Sequence, residues 1–185
     1  MFARAFAFAL MACFGSGCIA TPGTGRSSPE HADRTAELQA VFGQPSQAGF
    51  GSAVFAERVE RPQDLEAAAK RCYRHFLGKQ WAETGESVWM APWQRVYARP
   101  PGLRADIVAE LRGIRNPAAR SSISVLLEGH DTPDAAQHAL STVYDDAGME
   151  IVQVYTLGDG AALSGVLIAG RTRNGASTLL IFLMD

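Results

Sequence analysis

The chain has 185 residues, 47% of them apolar and 19% charged, with a formal net charge of −2. That balance excludes a disordered tail, a collagen-like chain and a coiled coil, and leaves enough apolar material for one ordinary hydrophobic core. The near-neutral charge also argues against a dedicated nucleic-acid binder, and of 17 basic side chains only Lys70 and Lys79 are lysines.

The first twenty residues differ from the rest. Arg4 is the lone charge of a short basic start, and residues 5–15 (AFAFALMACFG) carry none. A run of this length is too short to cross a hydrocarbon core ~30 Å thick as a stable helix. A basic start, a short apolar middle and small residues at the end make an export signal. Its end, Gly15-Ser16-Gly17-Cys18, resembles the lipobox of bacterial lipoproteins, in which small residues precede a cysteine that receives the lipid. Leu10-Met11-Ala12-Cys13 is a second match, so Cys18 is the first choice for acylation and Cys13 the alternative. The resemblance covers the leader alone. It implies palmitate-type acylation, a membrane contact through the N-terminal lipid and, with Ile19 after the cysteine, sorting to the outer membrane facing the periplasm. Cleavage after Ala20 without a lipid, giving a secreted domain, is the other outcome. The division expected is therefore a signal peptide over 1–17, a flexible Pro/Gly/Ser tether over 18–33, and a single domain over 34–185.

Within the domain, Leu38, Val41 and Phe42 suit a short helix over 34–42, and 52–59 reads as a strand. Pro62 opens a helix whose stripe is Leu65, Ala69, Cys72 and Phe76, with Gly78 as its stop. Residues 87–90 and 94–99 read as strands. Residues 103–114 fit both templates, with the alternation over 103–112 favouring strand. Residues 121–127 read as a strand beyond an Asn116-Pro117 turn. Thr132 and Pro133 open a second helix with Ala136, Ala139, Leu140, Val143 and Ala147 on one side and Gly148 as its stop. Residues 150–156 alternate as a strand. Asn174-Gly175 joins strands 163–172 and 176–184 by a two-residue turn that pairs Ile168 with Ile181 and Val166 with Leu183. Residues 179–184 are apolar on both faces, so this strand needs a central place or a cover on each side.

The fold class expected is α+β, an antiparallel sheet of about five to seven strands with two main helices. Aligning 52–76 with 123–147 places Val54 on Val125, Glu57 on Glu128, Pro62 on Pro133, Ala68 on Ala139 and Tyr73 on Tyr144, which suggests two β-α-β-β units.

Four groups of side chains bear on function. Trp81, Trp89, Trp93 and Tyr97 concentrate aromatic area in one segment, either a lid over the sheet or an interaction surface. Glu128, His130 and Asp131 crowd a loop where a His–carboxylate pair would serve a hydrolase-like envelope enzyme, although Asp131, Thr132 and Asp134 also suit a helix start. Cys72 and His75 stand one helical turn apart, yet Cys72 lies within the apolar stripe, and no second pair completes a metal set. Arg112, Arg115 and Arg120, with Arg171 and Arg173 elsewhere, mark two hairpin tips able to meet anionic head groups or an acidic partner. No cofactor, metal or catalytic set follows from the sequence. The reading that results is a non-enzymatic binding or assembly module of the cell envelope, with an envelope protein or a second copy of the chain as partner.

Overall fold

Leu179, Leu180, Ile181 and Leu183 are all fully buried, although neighbours on a strand point to opposite faces. The computed structural model, which describes residues 29–185, shows how both faces are closed. Strands β1 (Gly51–Arg58), β2 (Gln94–Ala98), β3 (Met149–Gly158), β4 (Ser164–Thr172) and β5 (Ala176–Met184) form one sheet in the order β1-β5-β4-β3-β2, every neighbouring pair antiparallel. One face carries Val54, Val152, Val154, Val166, Ile168 and Leu180 and packs against α1 (Pro29–Phe42), α5 (Ile107–Arg112), α6 (Pro117–Glu128) and α7 (Pro133–Tyr144). The other carries Phe55, Tyr155, Leu167, Leu179 and Ile181 and packs against α2 (Leu65–Leu77), α3 (Lys79–Thr84) and α4 (Glu86–Met90). The fold is α+β, as the residue pattern predicts. The two long amphipathic helices read from sequence, α2 and α7, take opposite faces of the sheet.

Several segments differ from their sequence reading. The stretch 87–90 is helix α4, entered from Gly85 at φ 96°. The stretch 103–114 contains helix α5, not a strand. Asp106 caps it by accepting from the Ala109 N–H at 2.9 Å, and Asp145 accepts from the Ile107 N–H at 2.8 Å. Ile107, Leu111 and Ile114 are buried at helical spacing while Leu103 is exposed, so the period that buries these residues is the helical one. Residues 121–127 lie in α6. Asn116 accepts from the Ala119 N–H at 3.1 Å and Pro117 takes the first helical position, so the Asn-Pro pair starts a helix instead of turning a hairpin. Ala119, Ile123, Leu126 and Leu127 face inward and Val125 outward at 41% exposure. The apparent repeat therefore aligns strand β1 with a helix, and the two segments are not copies of one β-α-β-β unit. Helix α7 ends at Tyr144, leaving Ala147 exposed and Gly148 beyond its end.

At the N-terminal side, residues 29–33 are the opening of α1, with His31 buried, so this part of the expected tether is folded. The signal peptide, Cys13, Cys18 and tether residues 18–28 lie outside the described residues.

The β4–β5 hairpin is displaced by one residue from the expected pairing, with Ile168 opposite Leu180 and Val166 opposite Phe182. Among the described residues only glycines take positive φ, and Gly175 (φ 90°) does so here while Asn174 does not. The two-residue turn needs both. Asn174 instead uses its side-chain oxygen to accept from the Thr172 hydroxyl at 2.6 Å and the Ala176 N–H at 3.1 Å. The connection becomes a three-residue loop closed by the Gly175 N–H on the Thr172 carbonyl at 2.9 Å. Such a slip turns every side chain to the other face, and β5 accepts it because both its faces are apolar.

Gly170 on β4 lies against the Tyr144 ring, where an added Cβ would come within 2.9 Å of two ring carbons. Gly170→Ala is expected to lower unfolding free energy by about 1–3 kcal/mol through overpacking. Urea unfolding of the two proteins in parallel checks this; an unchanged midpoint would show that Tyr144 moves freely.

Candidate functional site

The aromatic segment is built around Tyr73 of α2. Trp81 and Trp89 meet its ring edge-on with centroids 6.3 Å away, and Trp93 lies 6.0 Å away at 31°. Trp93 also stacks on Tyr155 of β3 at 4.8 Å, which joins the cluster to the sheet. Three of the polar tips have partners. Trp89 donates to the Gln80 carbonyl at 3.1 Å, Trp93 donates to Glu66 at 3.2 Å, and the Tyr73 hydroxyl accepts from the Gly158 N–H at 3.2 Å. Lys70 holds Glu66 at 2.9 Å and lies 5.5 Å from the Trp93 ring centre. Trp89 is 2% exposed and Trp81 is buried beside it, so both belong to the lid that closes the α2 side of the sheet. Trp93 is half-buried at the rim. Tyr97 packs into the core on the opposite side of the sheet, so the four residues do not form one surface.

The acid–histidine loop is similarly occupied. The His130 Nδ1 faces the Thr132 N–H at 3.3 Å and its Nε2 faces the Val41 carbonyl at 3.3 Å. These partners make Nδ1 the acceptor and Nε2 the donor. The ring also packs edge-on against Phe42. Glu128 turns towards Arg112 at 3.9 Å, and Asp131 is exposed. The groove between α5 and α6 takes Glu128 into its lining together with Arg112 and Arg120, while His130 and Asp131 lie outside it. The three side chains therefore do not converge on a common reacting position.

Cys72 and His75 have different partners. The Cys72 thiol is buried 3.8 Å from Glu57, whereas His75 is exposed near Gln47 and edge-on to Phe55. Burial pushes the Cys72 pKa up to about 12, with the Glu57 charge adding to it. Among the described residues no group of three or more His, Cys, Asp or Glu side chains is placed to hold a metal ion. No described helix is long and apolar enough to cross a membrane.

Two ionic arrangements have no counterpart in the sequence reading. Arg171, expected at an exposed hairpin tip, is buried: it donates to the Val59 carbonyl at 2.8 Å and the Glu60 carbonyl at 2.6 Å, and pairs with Glu150. Arg99 follows β2 with its side chain 9% exposed. Its Nε meets both Glu110 oxygens at 2.7 and 3.0 Å, Nη1 donates to the Tyr144 carbonyl at 2.7 Å, and Nη2 donates to Asp145 at 3.2 Å. The Tyr97 hydroxyl lies beside this network, its pKa pushed up to about 12, mainly by burial and then by Glu110. These guanidiniums have carbonyl and carboxylate partners throughout, so they tie strands to helices rather than wait for a ligand.

A different surface is basic and open. At the junction of α2 and α3 a groove of about 490 Å³ is lined by Arg71, Arg74, His75, Lys79, Trp81 and Gln47, with no carboxylate in the lining. The Arg74 guanidinium lies 5.8 Å from the Trp81 ring centre. Arg71 is drawn towards Glu57 at the edge, 3.3 Å away. These cations lie away from the turns whose arginines the sequence singles out. Their signal was the spacing 71, 74, 75, 79, one side of a helix prolonged past Gly78.

No protein-family model, no curated protein and no solved structure matches the chain.

Two outcomes follow from this geometry. Trp89→Ala is expected to cost about 3–5 kcal/mol of stability, the range for truncating a buried aromatic, and chemical denaturation checks it. Cys72, in a chain also carrying Cys13→Ser and Cys18→Ser, should react with a thiol reagent far more slowly when native than when unfolded. Because folding raises this thiol's pKa, its contribution to stability is complete below the unfolded value and is lost as pH rises from about 9 towards 12. Labelling rates and unfolding midpoints across that interval test the sign; equal native and unfolded rates would contradict the burial.

Proposed function

We propose that this chain is a bacterial lipoprotein of the cell envelope, anchored through acylated Cys18 at the outer membrane, whose body is a binding or assembly module rather than an enzyme. One observation carries the reading: only the ten residues 19–28 (IATPGTGRSS) separate the lipobox-like cysteine from the first turn of α1. At ~3.3–3.6 Å per residue such a segment reaches roughly 40 Å at most, a short leash that holds the body close to a bilayer. The body adds support of its own. The Cys72 thiol is taken up in packing beside Glu57, and the His130 imidazole in a contact with the Val41 carbonyl.

Labelled palmitate supplied to cells producing the wild type, Cys18→Ser and Cys13→Ser chains tests the anchor. Incorporation in the wild type and Cys13→Ser, with loss in Cys18→Ser, is the expected result. Loss in Cys13→Ser alone would move the lipid to Cys13. Absence of label from all three, with a mature N-terminus after Ala20, would replace the anchored protein by a secreted one.

A further inference from the structure

The two ends of β5 differ in what they present. At its start lie the hairpin loop and the first turn of α1, where His31 meets the Thr178 hydroxyl at 3.1 Å. At its end, Leu183 pairs with Gly51, and the loop before Gly51 runs along the α2–α3 junction, where the Gly49 N–H donates to the Phe76 carbonyl at 2.9 Å. The basic groove is therefore at the end of the domain remote from the α1 entrance. Beside Gly49 in the chain, Phe50 stands 54% exposed, the most exposed large apolar side chain among the described residues.

We propose that this end of the domain, formed by Arg71, Arg74, His75 and Lys79 together with Phe50 of the loop that crosses it, docks on an anionic lipid surface. Three features converge on that partner. The groove gathers cationic side chains with no carboxylate in its lining, which suits phosphate oxygens. Arg74 is splayed over the Trp81 ring, which holds its guanidinium at the groove and leaves its donors available. An exposed phenylalanine on the loop that crosses the same end of the domain, one residue past Gly49, fits the boundary between head groups and acyl chains, where apolar insertion and charge attraction add. A soluble acidic chain would use the cations but has no need of Phe50. β5 is on the order of 26 Å long at ~3.3 Å per residue, so the leash ahead of α1 is long enough for the domain to lie along the bilayer that would hold the anchor. The docking itself does not require acylation.

The test uses the full chain carrying Cys13→Ser and Cys18→Ser, so that no lipid is attached and the leader is common to every variant. Co-sedimentation is measured with vesicles of phosphatidylcholine alone and of phosphatidylcholine mixed with phosphatidylglycerol. Binding should favour the anionic vesicles, weaken with added salt, and fall roughly fivefold for each cation removed in Lys79→Gln and Arg74→Gln. Phe50→Ser should weaken it further, while Arg112→Gln and Arg120→Gln, in the groove between α5 and α6, should leave it unchanged. Thermal unfolding of each variant separates a lost surface from a lost fold, and Lys79→Gln removes no ion pair or hydrogen bond seen in the structure. Equal binding to both vesicle types, or indifference to Lys79→Gln and Phe50→Ser, would overturn the proposal. Displacement by soluble polyglutamate with no effect of Phe50→Ser would do so in favour of an acidic protein partner. None of these results depends on palmitate incorporation, so the anchor and the docking surface fail separately.

Discussion

A strand whose consecutive residues are all apolar obliges both sides of its sheet to be shielded from water, and β5 imposes this on the whole molecule. Leu179, Ile181 and Leu183 face α2 and its neighbours, while Leu180 faces the α1, α6 and α7 side. Full burial of one such side chain contributes roughly 1.5–3 kcal/mol. Leaving either side bare would forfeit several at once. Helices on one side only would not serve. The short helices α3 and α4 are explained by the same demand, since too little of α2 exists to roof its side alone and Trp81 and Trp89 extend the roof.

Closing two faces creates a second problem at the margins, where loops and strand ends cross from one layer to another. Buried or half-buried arginines meet it. Arg171 reaches from β4 to the carbonyls of Val59 and Glu60, fixing the segment that leads from β1 into α2. Arg99 gathers Glu110 of α5, the last carbonyl of α7 and Asp145 around the end of β2. Removing one member of such a buried set leaves its partners charged and unpaired, which is why these networks resist piecemeal change. Lysine, with one compact charge, could not span three acceptors in divergent directions, and this accounts for arginine at both positions.

The readable parts of the sequence were those whose signal is local. The stripe Leu65, Ala69, Cys72, Phe76 with Gly78 behind it gives α2 directly, because Gly78 takes φ 53° and closes on the Arg74 and His75 carbonyls. Strand β3 was equally plain, and the apolar run of β5 announced a covered or central strand. The stretch 103–128 was opaque for a physical reason. The apolar positions of 103–114 satisfy both periods, those of 121–127 pass for a strand although they lie in a helix, and the contacts that decide the first case come partly from elsewhere, Asp145 holding the Ile107 N–H across the fold. The hairpin register failed for the complementary reason. Asn174-Gly175 marks the turn, but β5 offers no polar face against which a one-residue slip would register. Of the candidate site residues, Trp81 and Trp89 were visible as aromatic mass without any indication of which layer they serve, and Arg99 and Arg171 gave no sign in the sequence of their burial.

The groove at the α2–α3 junction follows from the same architecture. Helix α2 must end where β5 ends, because the loop from α1 to β1 fills the space beyond it, with the Gly49 N–H on the Phe76 carbonyl. The chain then turns at Gly78 into α3 in order to deliver Trp81 to the core. That turn sets the outer side of α2's last two turns next to the start of α3, and the basic residues on them become one surface. Packing the lid thus exposes its cations on the reverse side: Trp81 supplies the buried ring beneath, and Arg74 lies over it facing solvent. The buried requirement set by β5 and the open basic surface are two sides of a single corner, the turn from α2 into α3.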